Sequence, residues 1–351
     1  MDKKVVAIIF GGQSSEHEVS KSSAQTIISA LSEDSYFVLP IYITKDGKWF
    51  LYDGPHENIP HLNWEKLATP VVLSPSADHR GILRLVGNKF KLIPIDVAFA
   101  ILHGKNGEDG SIQGLFQLAN IPYVGSGVLS SAVCMDKTIT KLIAQKHNID
   151  IAEYLIFSKQ DYEKDTEEIL KKVRYKIGYP CFIKPANTGS SVGISKAKSK
   201  DEVVLGITDA LTYDDKIIVE KGVFGRELEC SVLGNHTPKA SNVGEVTYTD
   251  QFYSYDAKYN NSDSKTIVPA SIPDDVSEKI RQLSIDVFKA CGCKGLARVD
   301  FFLEAKTNKV IFNEINTLPG FTSISMYPML WKSLGMSIEG LVQELISLAS
   351  L

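Results

Sequence analysis

The 351-residue sequence has little of what marks a membrane protein or a nucleic-acid-binding protein. No apolar run approaches the roughly 20 residues that a transmembrane helix needs. Lysine and arginine form no dense run and the net charge is −4, so the sequence offers no extended basic surface for a polyanion. We therefore expect neither a membrane nor a nucleic acid as a partner.

The five cysteines form neither a metal-binding pattern nor a disulfide pattern. Cys291 and Cys293 are too close in sequence for an ordinary structural disulfide, and no spacing matches a zinc motif. The first residues, MDKKVVAIIFGG, contain an unbroken apolar run of only six residues before Gly11, which is too short for the core of a signal peptide. These features favour a cytoplasmic protein with reduced thiols.

Complete nucleotide-binding fingerprints are also missing. The turn GSSVG at 189–193 lacks the lysine and the helix of a P-loop, and Gly125-Ser126-Gly127 does not complete a dinucleotide fingerprint. A nicotinamide-dependent oxidoreductase is disfavoured for this reason. A turn of small residues between two strands can nevertheless hold phosphate through its backbone N–H groups.

What the sequence does have is an ordinary globular composition, 44% apolar and 23% charged, over a length that exceeds one usual core. Apolar runs of strand length alternate with helix patterns up to about residue 125, which predicts an open, Rossmann-like α/β layer. We predict three domains, at residues 1–125, 126–220 and 221–351. The last contains a long polar loop at 252–265, of a length that is usually functional or disordered.

Three local predictions complete this division. Ser15 and Glu18 have the spacing of a capping box at the start of a helix. Residues 129–147 carry one continuous helix pattern. The region 53–90 has little regular pattern, and we interpret it as peripheral.

The stretch GLARVDFFLEAKTNKVIFNEIN, residues 295–316, predicts a β-hairpin because two apolar runs flank a polar turn. Side chains alternate between the faces of a strand, so Arg298 shares a face with Asp300, and Glu314 shares one with Asn316. If the register joins these faces, two carboxylates and a carboxamide meet beside an arginine. Such oxygen ligands suit Mg²⁺. We prefer a metal site over a solvated ion pair because unpaired carboxylates among apolar neighbours are costly.

Two lysines and a strand end are candidates for binding a nucleotide. Lys184 lies just before the small-residue turn and Lys137 on the preceding helix, and both are point charges suited to phosphate. Glu220 and Lys221 end a strand, where a carboxylate and backbone groups could meet a purine edge.

Glu16 and His103 each follow a buried strand, so both are expected to face the crevice of the α/β layer. For Glu16 the alternative is a carboxylate that only stabilises the helix dipole. For His103 it is a structural histidine.

Eight sequence segments occur in a characteristic order. They are GGQSSEHEVS (11–20), LHGKNGEDGSIQG (102–114), MDK (135–137), FIKPANTGSSVG (182–193), VEK (219–221), YDAKY (255–259), ARVD (297–300) and NEINTLPGFTSISMYP (313–328). Together they resemble the D-alanine–D-alanine ligases, which are ATP-grasp enzymes of bacterial cell-wall synthesis. The resemblance covers nearly the whole chain, although each segment alone would be a weak signal.

This resemblance implies an α/β protein with a three-domain ATP-grasp fold, whose N-terminal unit is the Rossmann-like layer. It implies ATP and D-alanine as substrates, two Mg²⁺ ions with Mn²⁺ as an alternative, and a homodimer. A non-catalytic nucleotide-binding regulator on this fold is disfavoured, because Arg298, Asp300 and Glu314 are all present.

The resemblance also implies a role for each matching residue. The metal ligands would be Asp300, Glu314 and Asn316. Catalytic roles would fall to Glu16, Ser190, Tyr259, Arg298 and Gly320, and amino-acid binding to Val19, His103, Lys258, Ser325 and Met326. ATP contacts would come from Lys137, Lys184, Gly189, Ser191, Glu220, Lys221, Val223, Glu227 and Phe252.

Two amino acids are candidates for the second substrate. Tyr259 and Met326 match peptide-forming members, whereas relatives that use D-lactate carry a histidine in the polar loop. The segment HGKNGEDG also resembles ligases that prefer D-serine. We expect synthesis of D-alanyl-D-alanine through D-alanyl phosphate for peptidoglycan precursors, with release of ADP and phosphate. D-alanine–D-serine ligation is the alternative.

Overall fold

The computed structural model describes residues 3–61, 67–247 and 265–351. Within these ranges the chain forms three β-sheets with helices packed against them. None of the helices there is long and apolar enough to span a bilayer. All five cysteines are free and buried, in agreement with the expectation of reduced thiols.

The first sheet is a mixed layer with a parallel centre. Its strands are β1 (Lys4–Gly11), β2 (Tyr36–Ile43), β3 (Trp49–Tyr52), β4 (Ala68–Leu73), β5 (Gly81–Val86), β6 (Lys89–Pro94) and β7 (Val97–Ala100). Their order is β6-β5-β4-β3-β2-β1-β7, and β1 pairs in parallel with β2 and β7. Residues 6–10 are all buried, which explains the continuous apolar run at this central strand.

The described part of region 53–90 is more regular than its sequence pattern indicated, although it does lie towards one edge of the first sheet. Strands β4 and β5 lie in it, and β6 begins there, so this region extends the first sheet as an antiparallel meander. β6 is largely exposed. Strands at such an edge carry mixed polar and apolar residues, so they lack the continuous apolar run that marks a central strand.

Helix α1 (His17–Ser29) begins just after β1. The predicted capping box was wrong, because Glu16 is the N-cap residue and no side chain caps the helix. Glu18 lies in the first turn and pairs with Lys21 at 2.7 Å. The carboxylate of Glu16 is therefore placed at the very start of α1, beside the end of β1.

The buried hydroxyl of Ser20 fixes α1 against the sheet. It accepts a hydrogen bond from the Gly11 N–H at 2.8 Å and donates one to the Ile101 carbonyl at 2.6 Å. Gly11 has φ +90°, and a Cβ there would lie 2.2 Å from the carbonyl oxygen of Ile43, so only glycine fits. The ends of β1 and β7 are thus held together beneath the start of the helix.

The second sheet is antiparallel and has the order β10-β9-β11-β8. Its strands are β8 (Tyr154–Ser158), β9 (Cys181–Pro185), β10 (Ser195–Ala197) and β11 (Lys216–Lys221). The helices between the first sheet and the end of the second are α2 (Ser111–Leu118), α3 (Val128–Met135), α4 (Lys137–Lys146), α5 (Lys159–Lys164), α6 (Thr166–Lys172) and α7 (Lys200–Ala210). A π-helical turn, Val173–Ile177, extends α6.

The single helix predicted over 129–147 is in fact two helices, and this prediction was wrong at Asp136. This residue has extended backbone, and its carboxylate accepts from Thr138 N at 2.9 Å and Ile139 N at 3.2 Å. Aspartate is a preferred N-cap, so it starts a new helix within a continuous apolar pattern. The Lys137 N–H donates to the Ala186 carbonyl at 3.0 Å, which sets the start of α4 against the segment that follows β9.

The third sheet has the order β14-β13-β12-β15-β16. Its strands are β12 (Gly225–Gly234), β13 (Lys239–Thr247), β14 (Lys265–Ile267), β15 (Gly295–Glu304) and β16 (Val310–Asn316). The predicted hairpin is confirmed, since β15 pairs with β16 in antiparallel. One face is apolar and packs on helix α8 (Asp274–Ala290), with the rings of Phe301 and Phe312 in edge contact at 5.9 Å. The other face is left for polar side chains.

Helices α9 (Met326–Lys332) and α10 (Ile338–Ser347) connect the third sheet to the first. Residues of β1, β7, the segment after β16 and α10 belong to one apolar cluster. At its centre Phe321 contacts Phe99 edge-on at 6.0 Å and Tyr327 at 5.4 Å. The segment after β16 therefore packs against the first sheet.

Candidate active site

Two adjoining cavities open between the three sheets. The larger contains about 1560 Å³ of empty space including its mouth, and the smaller about 900 Å³. The larger is lined mainly by residues of α4 and of the second and third sheets, and the smaller by residues that follow β1 and β7 and by the third sheet. Among the described residues the walls of both cavities share Glu108, Gly189, Ser190, Glu229, Glu314 and Asn316. A ligand in one cavity would therefore meet a ligand in the other.

The polar face of the hairpin lies at this junction. Arg298 stands opposite Asn316 and Asp300 opposite Glu314, as the hairpin hypothesis required. The guanidinium contacts Asp300 through two hydrogen bonds of 2.8 Å each, from Nε and Nη2. Asn316 donates a third hydrogen bond to Asp300 at 3.1 Å. Arg298, Asp300 and Asn316 thus form one hydrogen-bonded group, and Glu314 lies across the strand pair from Asp300.

Glu229 belongs to the same group, although sequence reasoning missed it. It is paired with Asp300 in the register of β12 and β15, and its carboxylate lies 3.0 Å from Arg298 Nε. Alternation along β12 was the available signal, because Glu227 and Glu229 share a face while Leu228 is buried on the other. Three carboxylates therefore surround one guanidinium.

These charges decide the protonation of Arg298. Burial lowers the pKa of its guanidinium, but attraction to Asp300 and then Glu229 outweighs burial, and the pKa lies well above its ordinary value. The Nη1 group makes no hydrogen bond with the described residues. Arg298 also lines the smaller cavity. A permanently charged donor is thus available to a ligand there.

The donor set at the junction fits a hard divalent cation. Carboxylate oxygens of Glu229, Asp300 and Glu314 and the amide of Asn316 are present, without thiolate or imidazole. In the described ranges no three His, Cys, Asp or Glu side chains form a ready metal cage. A cation here would therefore take part of its coordination from a ligand or from water, as Mg²⁺ usually does with phosphates.

A buried charge cluster forms another wall of the larger cavity. The Glu220 carboxylate pairs with Lys141 at 2.7 Å and with Lys184 at 2.5 Å. Burial would raise the pKa of Glu220, but the two lysines bring it down to about 2. Burial lowers the pKa of Lys141, whereas for Lys184 the attraction of Glu220 outweighs burial and raises the pKa. The cluster holds Lys184 as a cation at the cavity.

This cluster changes the expected use of Glu220. Its carboxylate is paired with two lysines. At this end of β11, the backbone groups are therefore the ones that could meet a purine edge. Lys141 was not predicted as a site residue. Its position four residues after Lys137 puts both on one face of α4, which was the signal available.

The small-residue turn covers the junction of the cavities. Ser190 and Ser191 have φ of 51° and 59°, in the left-handed region, and both line the larger cavity. A Cβ on Gly189 would lie 3.7 Å from Oε2 of Glu16, so the turn closely approaches the start of α1. Lys137 donates from its ammonium to the Thr188 carbonyl, which places its charge beside the turn.

The smaller cavity is lined by side chains suited to an amino acid. Glu16 and His103 are nearly fully buried in its wall. His103 donates from Nδ1 to the Leu318 carbonyl at 2.9 Å, so its Nε2 carries the lone pair and finds no hydrogen-bond partner among the described residues. Burial lowers the pKa of His103 and favours this neutral form. Ser325 Oγ accepts from Thr322 N at 3.0 Å, which orients it at the start of α9.

Every predicted site residue that the structure describes lines one or both cavities. Phe252, Lys258 and Tyr259, and with them nearly all of the predicted loop 252–265, lie outside the described residues. The structure adds Glu108, Lys141 and Glu229 to the walls.

Comparisons with known proteins agree with this geometry. Residues 5–126 match the family model "D-ala D-ala ligase N-terminus", and residues 143–347 match "D-ala D-ala ligase C-terminus". A D-alanine–D-alanine ligase of Acetivibrio thermocellus is 49% identical, with 99% of this chain and 96% of the relative covered. The D-alanine–D-alanine ligase B of Clostridium tetani is 47% identical, with 99% and 94% covered.

The chain is also similar to solved structures of ligases that use D-alanine. The VanG D-Ala:D-Ser ligase of Enterococcus faecalis superposes with a TM-score of 0.90 at 37% identity, covering 99% of each chain. The D-alanine–D-alanine ligase of Coxiella burnetii superposes with a TM-score of 0.85 at 36% identity, covering 99% of this chain and 95% of that one.

The three sheets and their two adjoining cavities, together with the close superposition on a D-alanine–D-alanine ligase, define a ligase of the ATP-grasp fold. Within that class, the chain belongs to the D-alanine–D-alanine ligase family.

Proposed function

We propose that this chain joins two D-alanine molecules to D-alanyl-D-alanine for peptidoglycan precursor synthesis, with ATP as the energy source. The carboxylate of the first D-alanine attacks the γ-phosphorus of ATP, which releases ADP and forms D-alanyl phosphate. The amine of the second D-alanine then attacks the acyl carbon and displaces phosphate. The observation that carries this proposal is the meeting of the two cavities at Glu314 and Asn316.

The larger cavity would hold ATP. Lys137, Lys184, Gly189 and Ser191 would face its phosphates, while Glu227, Val223 and the backbone around Lys221 would face its ribose and adenine. Phosphoryl transfer depends on positioning and on charge neutralisation. Asp300, Glu314 and Asn316 would hold two Mg²⁺ ions, or Mn²⁺, which supply that neutralisation when bound.

The smaller cavity would hold the amino acids. Glu16 would accept hydrogen bonds from the ammonium group of the first D-alanine, with Val19 and His103 beside it. Ser325 and Met326 would border the second D-alanine, with Ser325 facing its carboxylate. Arg298 Nη1 and the Gly320 N–H would stabilise negative charge that develops on the acyl oxygen during the attack.

Ser190 would link the phosphate turn to Glu16 on the amino-acid side, since the turn borders both cavities. From the family resemblance we also assign Lys258 to binding of the carboxylate of the second D-alanine and Phe252 to binding of the nucleotide. Tyr259 is assigned to catalysis, together with Ser190 and Glu16. A single alanine substitution at each position, followed by measurement of the KM of ATP and of D-alanine, would test these three assignments.

A phosphate-release assay with ATP and Mg²⁺ tests the main proposal. We expect release that depends on D-alanine and is matched by the dipeptide detected by mass spectrometry. Phosphate release without dipeptide, or no dependence on D-alanine, would contradict the proposal.

D-Alanine–D-serine ligation is the second candidate, because the chain superposes closely on a D-Ala:D-Ser ligase. Its curated relatives above are D-alanine–D-alanine ligases, and we favour that activity. The same assay with D-alanine, D-serine or D-lactate as the second substrate separates the candidates. Faster turnover with D-serine than with D-alanine would overturn our choice.

We further propose that the enzyme acts in the cytoplasm, where ATP is available, and that it is a homodimer. Light scattering on the purified chain tests the second point. A mass of one chain at micromolar concentration would refute it.

A further inference from the structure

The loop between β7 and α2 holds both hydrogen-bonding groups of the Leu318 backbone. Glu108 Oε1 accepts from the Leu318 N–H at 3.1 Å, and His103 Nδ1 donates to the Leu318 carbonyl at 2.9 Å. The other oxygen of Glu108 accepts from the Gly104 N–H at 2.8 Å, which fixes the carboxyl on its own loop. We call these three bonds the Leu318 clamp.

The clamp holds a segment without regular structure, and this segment is also anchored three residues after Leu318. The Phe321 N–H donates to Ser23 Oγ at 3.1 Å. Between these anchors lie Pro319, which has no N–H, and Gly320. The Gly320 N–H is therefore the backbone donor between the anchors, and it makes no hydrogen bond with the described residues.

We propose that Glu108 is a positioning residue, which acts through the Leu318 clamp to aim the Gly320 N–H at the acyl oxygen of the bound intermediate. This inference rests on the proposed function and adds a residue to it. Donors in an oxyanion hole act because they are held in place before the charge develops. A displacement of about 1 Å can lower a rate by about 100-fold.

The surroundings of Glu108 indicate that its carboxyl group has a functional role and does not merely fill space in the loop. Burial and the neighbouring Glu16 raise the pKa of Glu108 to about 8, against the opposing effects of the Gly104 and Leu318 N–H groups and of Arg298. Both carboxyl oxygens accept backbone N–H groups, and an amide could replace only one of these acceptors. Strongly shifted carboxyls of this kind concentrate at functional sites.

The test compares Glu108→Gln, Glu108→Ala and Asp109→Asn. Asp109 lies in the same loop and accepts from Asn106 N at 2.8 Å and Ser111 N at 3.0 Å, and neither bond involves Leu318. It is therefore a matched control for the loss of a carboxylate from this loop. Steady-state assays give kcat and the KM of ATP. Exchange of ¹⁸O out of the β,γ-bridge of labelled ATP reports formation of the acyl phosphate separately.

For Glu108→Gln we expect the kcat of dipeptide formation to fall about 10- to 100-fold, as displacement of a catalytic group does. The KM of ATP should stay within about twofold and isotope exchange should persist, because oxyanion stabilisation affects only the second step. Glu108→Ala should lose more, since glutamine keeps one acceptor oxygen. Asp109→Asn should retain both activities.

Unchanged kcat in both Glu108 variants would overturn the inference. So would an equal loss in Asp109→Asn, or a loss of isotope exchange in parallel with dipeptide formation. If the glutamine variant does not fold, Ser23→Ala releases the other anchor and should give the same separation of exchange from dipeptide formation, while equal effects on both would refute the inference. Failure of the unaltered chain to make dipeptide would instead refute the proposed function.

Discussion

The carboxylates of Asp300 and Glu314 are direct cross-strand partners in the hairpin of β15 and β16. Like charges in this position repel each other and lower the stability of a sheet. Arg298 offsets part of that repulsion through its two bonds to Asp300. The arrangement favours cation binding at the expense of the ligand-free fold.

For Glu314→Gln we expect activity to be lost while stability changes little. Asp300 repels the Glu314 carboxylate but Arg298 and Lys184 attract it, so these effects of removing its charge at similar volume oppose each other in the free energy of unfolding. Turnover should fall by about 100-fold or more, the scale of losing one strong electrostatic contact to the transition state. Urea unfolding and phosphate release measure the two quantities. Glu304→Gln, at the far end of β15, is the control, and near-normal turnover of Glu314→Gln with Mg²⁺ would remove Glu314 from the metal site.

Arg298→Lys tests whether geometry or charge matters at the junction. A lysine ammonium keeps the charge but cannot form the two parallel bonds to Asp300 and still present a free donor edge. We expect kcat to fall about 100-fold, as for loss of an oxyanion donor. The exposed Arg174 gives the control variant Arg174→Lys. Retention of more than half of the activity in Arg298→Lys would mean that charge alone suffices.

The pairing of Glu220 with Lys141 and Lys184 predicts a large loss of stability for Glu220→Gln. This variant leaves two buried ammonium groups without their carboxylate, which should cost about 3–5 kcal/mol. Glu153→Gln breaks only the exposed pair with Lys221 and should change stability by less than about 1 kcal/mol. Equal effects of the two substitutions on urea unfolding would contradict the view that the buried cluster is strongly coupled.

The same carboxylate predicts the pH dependence of stability. The folded pKa of Glu220, about 2, lies below its ordinary value of 4.5. Its contribution is therefore fully present above about pH 4.5 and is lost as the pH falls towards 2. The difference in unfolding free energy between the unaltered chain and Glu220→Gln should be constant from pH 7 to 5 and should shrink below pH 4.5. A difference that does not vary with pH would show that Glu220 does not titrate in this way.

Asp136→Ala tests the break between α3 and α4. Loss of this N-cap should lower stability by about 1–2 kcal/mol. It should also raise the KM of ATP, because Lys137 follows directly and faces the larger cavity. Ser199→Ala removes the N-cap of α7 and should lower stability by a similar amount without a change in KM. If both variants leave the KM of ATP unchanged, the cap of α4 has no part in placing Lys137.

Local patterns predicted the hairpin and its polar face because side chains alternate along a strand. They did not predict the register shift between Asp300 and Phe301, which sets Asp300 opposite Glu314. The same alternation could have identified Glu229 on β12. The break at Asp136 was missed because the apolar period continues through it. The edge strands of region 53–90 were missed because half-exposed strands lack a continuous apolar run. The predicted domain boundaries, 1–125, 126–220 and 221–351, stay a prediction.

Contacts between distant parts of the sequence could not be predicted. Glu108 meets the Leu318 backbone across 210 positions, and Lys141 is buried by its pairing with Glu220. The sequence around Glu108 does not distinguish it from an exposed charged residue, and the one signal for Lys141 was its position four residues after Lys137 on α4. Residues of this kind can be recognised as part of the site only from the three-dimensional structure.

The packing of Phe321 and α10 against the first sheet limits where the chain can be divided into stable fragments. Phe99, at 0% exposure, is covered in part by residues more than 200 positions downstream. A fragment ending near residue 125 would expose this apolar surface to water and should aggregate or bind hydrophobic dyes. Chimaeras between relatives should accordingly exchange β1, β7 and α10 as a set.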